Sequence, residues 1–67
     1  MKIWKVREMT AYIKSDGWFF VRQKGSHKHY RHPTKPGTVT IPGEPSDDLA
    51  PGTAKSILNQ AGLSEQS

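Results

Sequence analysis

The sequence predicts a two-layer α+β domain in which three antiparallel strands carry two helices on one face, in the order α-β-β-β-α. Three observations point there. An apolar stripe at helical spacing opens the chain and another closes it; three short segments rich in aromatic or branched residues lie between them, parted by glycine and proline; and 67 residues are read as one domain, 1–67, with no room for a second.

Each element follows from local chemistry. Val6, Met9 and Ile13, with Tyr12 beside them, repeat along one stripe, so a helix is expected over about residues 5–15. Asp16-Gly17 closes it, because glycine readily takes the left-handed conformation that ends helices. WFFVRQK reads as a strand with one side packed on the helices, turned at Lys24-Gly25 into a second strand, SHKHYRH. Pro33, Pro36 and Gly37 break the pairing, and TVTIP follows as a third strand with Val39 and Ile41 inward and Thr38 and Thr40 outward. GEPSDDLAPG is a loop by composition, and its Ser46, Asp47 and Asp48 are expected in solvent. Pro51 suits the first turn of a last helix whose stripe is Ala54, Ile57, Leu58 and Ala61, ended by Gly62. Trp4 fits either core or surface, and the terminal SEQS is expected to fray.

Charge narrows the classes of function. The net charge is +4, and no acid falls between Asp16 and Glu44, where Arg22, Lys24, Lys28, Arg31 and Lys35 all lie. Such separation gives one face a positive potential that attracts polyanions, RNA or DNA before others. Cysteine is absent, so neither disulfides nor thiolate ligands are available, which fits a reducing cytoplasm. The longest apolar run, Trp18 to Val21, is far too short to span a bilayer, and the chain reads as soluble, without a membrane partner.

The densest chemistry is GSHKHYRHPTK, residues 25–35, with three histidines among its cations. Strand alternation sends His27, His29 and Arg31 to one face and Lys28, Tyr30 and His32 to the other; Tyr30 is the natural inward anchor, which turns the first set to solvent. As metal ligands the histidines fit poorly. His27 and His29 supply two nitrogens at strand spacing, His32 points away, and the stretch offers no cysteine or carboxylate to complete a zinc site. His32 stands before Pro33, where the chain is forced extended, and reads as a turn residue.

The run GSHKHYRHPTKPGTVTIP, preceded by GWFFVRQK and followed by PGTAKSILNQAGL, resembles the HicA family of bacterial toxins from about Arg7 to Leu63. The glycine-serine-histidine turn, the histidine-proline end of strand two, the threonine-valine strand and the glycine-leucine close of the last helix recur in order. The resemblance implies a double-stranded-RNA-binding-domain-like fold, cleavage of mRNA that arrests growth, and neutralisation by a HicB-type antitoxin; no small-molecule cofactor is expected. It also implies that the catalytic histidine is His27. Many members carry a second histidine directly after it, where this chain has Lys28, which weighs against a mechanism built on adjacent histidines.

The residues support that chemistry independently. RNA carries its own nucleophile, the 2′-hydroxyl, so cleavage needs a group that takes that proton or protonates the leaving oxygen, and positive charge for the transition state. Histidine suits the proton role at neutral pH. Arg22, Lys24 and Lys28 are the expected phosphate contacts, Gly25 permits close approach of the backbone, Ser26 offers a hydroxyl donor, and His29 is a secondary candidate or a plain surface residue. Two other readings stay open: an RNA-binding module of the same fold without catalysis, and a metal-dependent nuclease or zinc domain.

Overall fold

Helix α1, Val6–Ser15, starts without a side chain from Ser, Thr, Asp or Asn at its cap. Its first free amides are satisfied from elsewhere: Val6 N–H donates to the Asp47 carbonyl at 2.9 Å and Arg7 N–H to that of Pro45 at 3.1 Å. The Lys5 amide in turn donates to the Glu8 carboxylate at 2.9 Å. The loop of residues 43–50 therefore acts as a strap across the start of the helix. Ser46, Asp47 and Asp48 are exposed as expected, but Leu49 between the strap and the helix is buried, its amide donating to the Trp4 carbonyl at 2.7 Å. Trp4 is part of the core.

In this computed structural model, which describes residues 2–64, the sheet runs β1 (Phe19–Lys24), β2 (His27–Arg31), β3 (Val39–Ile41), antiparallel and in that order. Gly25 and Ser26 form a two-residue loop between the first pair, one step beyond the expected Lys24-Gly25 turn. Gly25 has a φ of 60° and Ser26 does not have a positive φ, the pattern of a type II′ hairpin, whose twist matches that of the strands it joins. Nothing lies within 4 Å of where a Cβ on Gly25 would sit, so the glycine is there for its dihedral.

Helix α2, Pro51–Ala61, closes on Gly62 in the left-handed conformation at φ 68°. It lies against β3, and the Gln60 side-chain oxygen accepts the Thr40 amide at 3.3 Å. Tyr30, Val39 and Ile41 share the inner face of the sheet and meet Val6, Met9 and Ile13 of α1 and Ala54, Ile57, Leu58 and Ala61 of α2 in a single cluster. Each large side chain buried there contributes on the order of 1.5–3 kcal/mol of transfer free energy. The two-layer order expected from the sequence is the order observed.

Strand β1 departs from expectation. Only Trp18, one residue before it, is buried; Phe19 and Phe20 are each 49% exposed and Val21 is 42% exposed. The physical reason is position. Tyr30 of β2 and Val39 and Ile41 of β3 enter the core beneath the helices, whereas β1, an edge strand, contributes no buried residue. A bulge at Val21 shifts the register between Phe20 and Arg22. Phe20 still touches the core edge-on, its ring 6.0 Å from that of Tyr30. At the other end, the Tyr12 hydroxyl donates to the Ser64 carbonyl at 3.1 Å, which ties down the first residue of the SEQS run; residues 65–67 lie outside the described residues. No helix among the described residues is long and apolar enough to cross a membrane.

Candidate functional site

The second strand sorts its side chains as alternation requires. Tyr30 is buried under the helices, and the outer face carries His27, His29 and Arg31. Register then adds residues from β1. Lys24 is paired with His27 and Arg22 with His29, and directly opposed residues of an antiparallel pair project to the same side with Cβ atoms roughly 5 Å apart. Two cations and two histidines thus form a square on one open face.

His27 is exposed, and no hydrogen bond or ion pair engages its ring among the described residues. It stands at the rim of a cleft of about 310 Å³ whose other walls are Thr40 and Pro42 from the third strand and Gly52, Thr53, Ser56, Ile57 and Gln60 from α2. Hydroxyl and amide groups therefore face the histidine, and no carboxylate does among the described residues. Thr40 follows from the outward phase of TVTIP, but Ser56 and Gln60 were not anticipated. Their signal is the polar stripe 52, 53, 56, 60 on α2, opposite its apolar one.

His29 is half-buried, with its Nδ1 3.1 Å from the Thr40 hydroxyl, and lies in a neighbouring cleft of about 230 Å³ with Val21, Arg22, Arg31 and Thr38. Gly25 and Ser26 are exposed at the hairpin tip beside His27, and the Ser26 carbonyl accepts the Gly43 amide at 3.0 Å, tying the tip to the end of β3. Lys28 is parted from this group. Its side chain passes to the inner face and lines a different cleft, against α1.

His32 has the structural role that its place before Pro33 suggests. Nδ1 receives the Thr34 and Lys35 amides, both at 3.1 Å, so it must present a lone pair; the proton then sits on Nε2, which donates to the Asp16 carbonyl at 2.6 Å. The ring staples the end of β2 to the turn after α1. Gly17 in that turn has φ 107°, and a Cβ there would lie 2.8 Å from His32 Nε2. Among the described residues no group of three His, Asp or Glu side chains is placed to hold a metal.

Three of the acids are engaged away from this face. Asp16 pairs with Lys35, whose hydrogen bond holds its carboxyl below the ordinary value of 3.8. Glu8 is lowered by the Lys5 amide, with Lys2 and Arg7 adding to it, and Asp48 pairs with Lys5 at 2.9 Å. Arg22, Lys24 and Arg31 on the outer face, and Arg7, Lys14 and Lys28 around α1, have no carboxylate at ion-pair distance among the described residues.

These features define a class: a small α+β domain with a basic sheet face and an accessible histidine directly after a glycine-serine turn. Residues 6–63 match the family model described as the HicA toxin of bacterial toxin-antitoxin, and the chain belongs to that family. A comparison with curated proteins finds no match.

Proposed function

We propose that this toxin is an endoribonuclease that cleaves mRNA without a metal, using His27 as its acid or base, and that a HicB-type antitoxin neutralises it by covering the basic face. The observation that carries the reading is the setting of His27: an unengaged imidazole paired with Lys24 across the hairpin, one residue pair from Arg22, in a cleft lined by no carboxylate among the described residues.

The chemistry follows from that setting. With a phosphodiester held by Arg22 and Lys24, the imidazole accepts the proton of the adjacent 2′-hydroxyl as its oxygen attacks phosphorus. The bond to the 5′-oxygen breaks, a 2′,3′-cyclic phosphate forms, and the leaving oxygen takes a proton from water. The two cations oppose the charge that builds on the phosphoryl oxygens in the transition state. Gly25 and Ser26 leave the tip narrow enough for a strand to lie across it, and the Ser26 hydroxyl is a further donor. His29, held by Thr40, stands one residue pair away as a group that orients the strand. Lys28 takes no part at this phosphate, because it leaves the sheet on the other side.

The test is cleavage of an unstructured mRNA by the protein and by His27→Ala, each with excess chelator and each checked for fold by circular dichroism. The expected result is cutting by the first alone, with a cyclic phosphate end, and a loss of about 10²–10⁴-fold in the variant. RNA bound but uncut by both would establish a binding module instead, and activity lost on chelation would establish a metal-dependent nuclease.

A further inference from the structure

The chain has a second cationic surface, on the side of the sheet away from His27. Thr10, Ala11 and Lys14 lie three, four and seven residues after Arg7, so the four form one stripe of α1 next to its buried stripe. With Lys28 from β2 and Val6 and Pro45 below, they enclose a cleft of about 260 Å³. Its floor is carbon from Val6, Ala11 and Pro45 and its rim is three cations, with no acid among the lining residues. Glu8, the acid of this helix, is turned to the Lys5 amide and Lys2.

We propose that this saddle is a docking site for an acidic amphipathic helix of a protein partner, a helix that seats an apolar side chain over Ala11 between two carboxylates. Arg7 and Lys14 are two helical turns apart, about 10 Å along the axis. Carboxylates seven residues apart on a facing helix meet both, and the short side chains of Thr10 and Ala11 let that helix come close. An apolar floor between cations favours protein over nucleic acid: the floor of Val6, Ala11 and Pro45 offers no aromatic ring on which a base could stack, whereas a protein segment uses aliphatic carbon and the charges together. The natural partner is the antitoxin, and that assignment rests on the family and on the neutralisation proposed above. The saddle itself does not depend on His27 being catalytic. A partner anchored here holds the toxin by a second surface, in addition to the outer face that it covers to neutralise it.

The experiment uses the full chain, its cognate antitoxin and a labelled single-stranded RNA. Arg7→Glu with Lys14→Glu reverses the rim, and Ala11→Trp fills the floor without changing charge; all three positions are exposed, and circular dichroism confirms the fold. Both variants are expected to bind the antitoxin about 10- to 100-fold more weakly; Ala11→Trp is expected to leave RNA binding and cleavage within about twofold, whereas the double reversal, which takes the net charge from +4 to 0, is read for antitoxin affinity alone. Unchanged antitoxin affinity in both variants overturns the proposal. So does a fall in RNA affinity for Ala11→Trp, which would make the saddle part of the nucleic-acid surface. If wild type proves not to cleave RNA, the antitoxin arm still decides the saddle, so the two readings fail separately.

Discussion

The molecule has two basic surfaces, and they differ in what accompanies the charge. On the outer face of the sheet Arg22, Lys24 and Arg31 surround histidines, threonines and the polar stripe of α2. Around α1 the same number of cations frames an apolar floor with no histidine. Positive charge alone says only that something anionic is attracted. A proton-active ring among hydroxyls suits a reaction at phosphate, and a greasy saddle suits a stationary contact. One strand supplies both, since neighbouring residues His27 and Lys28 leave it on opposite sides.

The largest effect expected to sharpen this contrast is that of His27→Ala against Lys28→Ala. The first is expected to lose about 10²–10⁴-fold in kcat and the second less than about twofold, in the same cleavage assay. Equal losses would erase the distinction between the faces. Next comes the frame that holds them apart. Gly17→Ala forces a side chain into a positive φ and against His32, and is expected to cost about 1–3 kcal/mol in urea unfolding, with kcat retained where the protein is folded. Arg22→Ala with Lys24→Ala is expected to raise KM about tenfold and to flatten the salt dependence of RNA binding by roughly 1.4 in log-log slope, two phosphates at about 0.7 each. The smallest effect is a pH dependence. The Asp16 carboxyl is held below its ordinary value by Lys35, so this pair stabilises the fold above the ordinary carboxylate range and loses that contribution as pH falls through it. Asp16→Asn should flatten the acid limb of a stability profile, and an unchanged limb would show that the pair adds nothing.

The outer face was legible because strand alternation is a strict rule and Tyr30 gives it a phase. Once Tyr30 points inward, His27, His29 and Arg31 follow. Three features were not legible, each for want of long-range information. Phe19, Phe20 and Val21 read as half-buried, and whether an apolar strand is central or outer depends on where the helices settle. Leu49 is a lone apolar residue in a polar loop, so no periodicity marks it, and its burial follows from the amide bonds that strap the loop to Trp4 and α1. Arg7, Thr10, Ala11 and Lys14 look like an ordinary solvated stripe, and only the packing of α1 beside β2 brings Lys28 to them. Metal binding was weighed on spacing and donor type, and what the sequence did not show is that His32 is engaged at both ring nitrogens, by Asp16, Thr34 and Lys35.

The bond from Thr40 to Gln60 also bears on how copies of this chain can associate. Through it α2 takes up the Thr40 amide on the β3 edge, whereas every residue of the β1 edge is exposed. A body with one free strand edge can join a second through a two-fold axis, and the pair then has no edge left to offer.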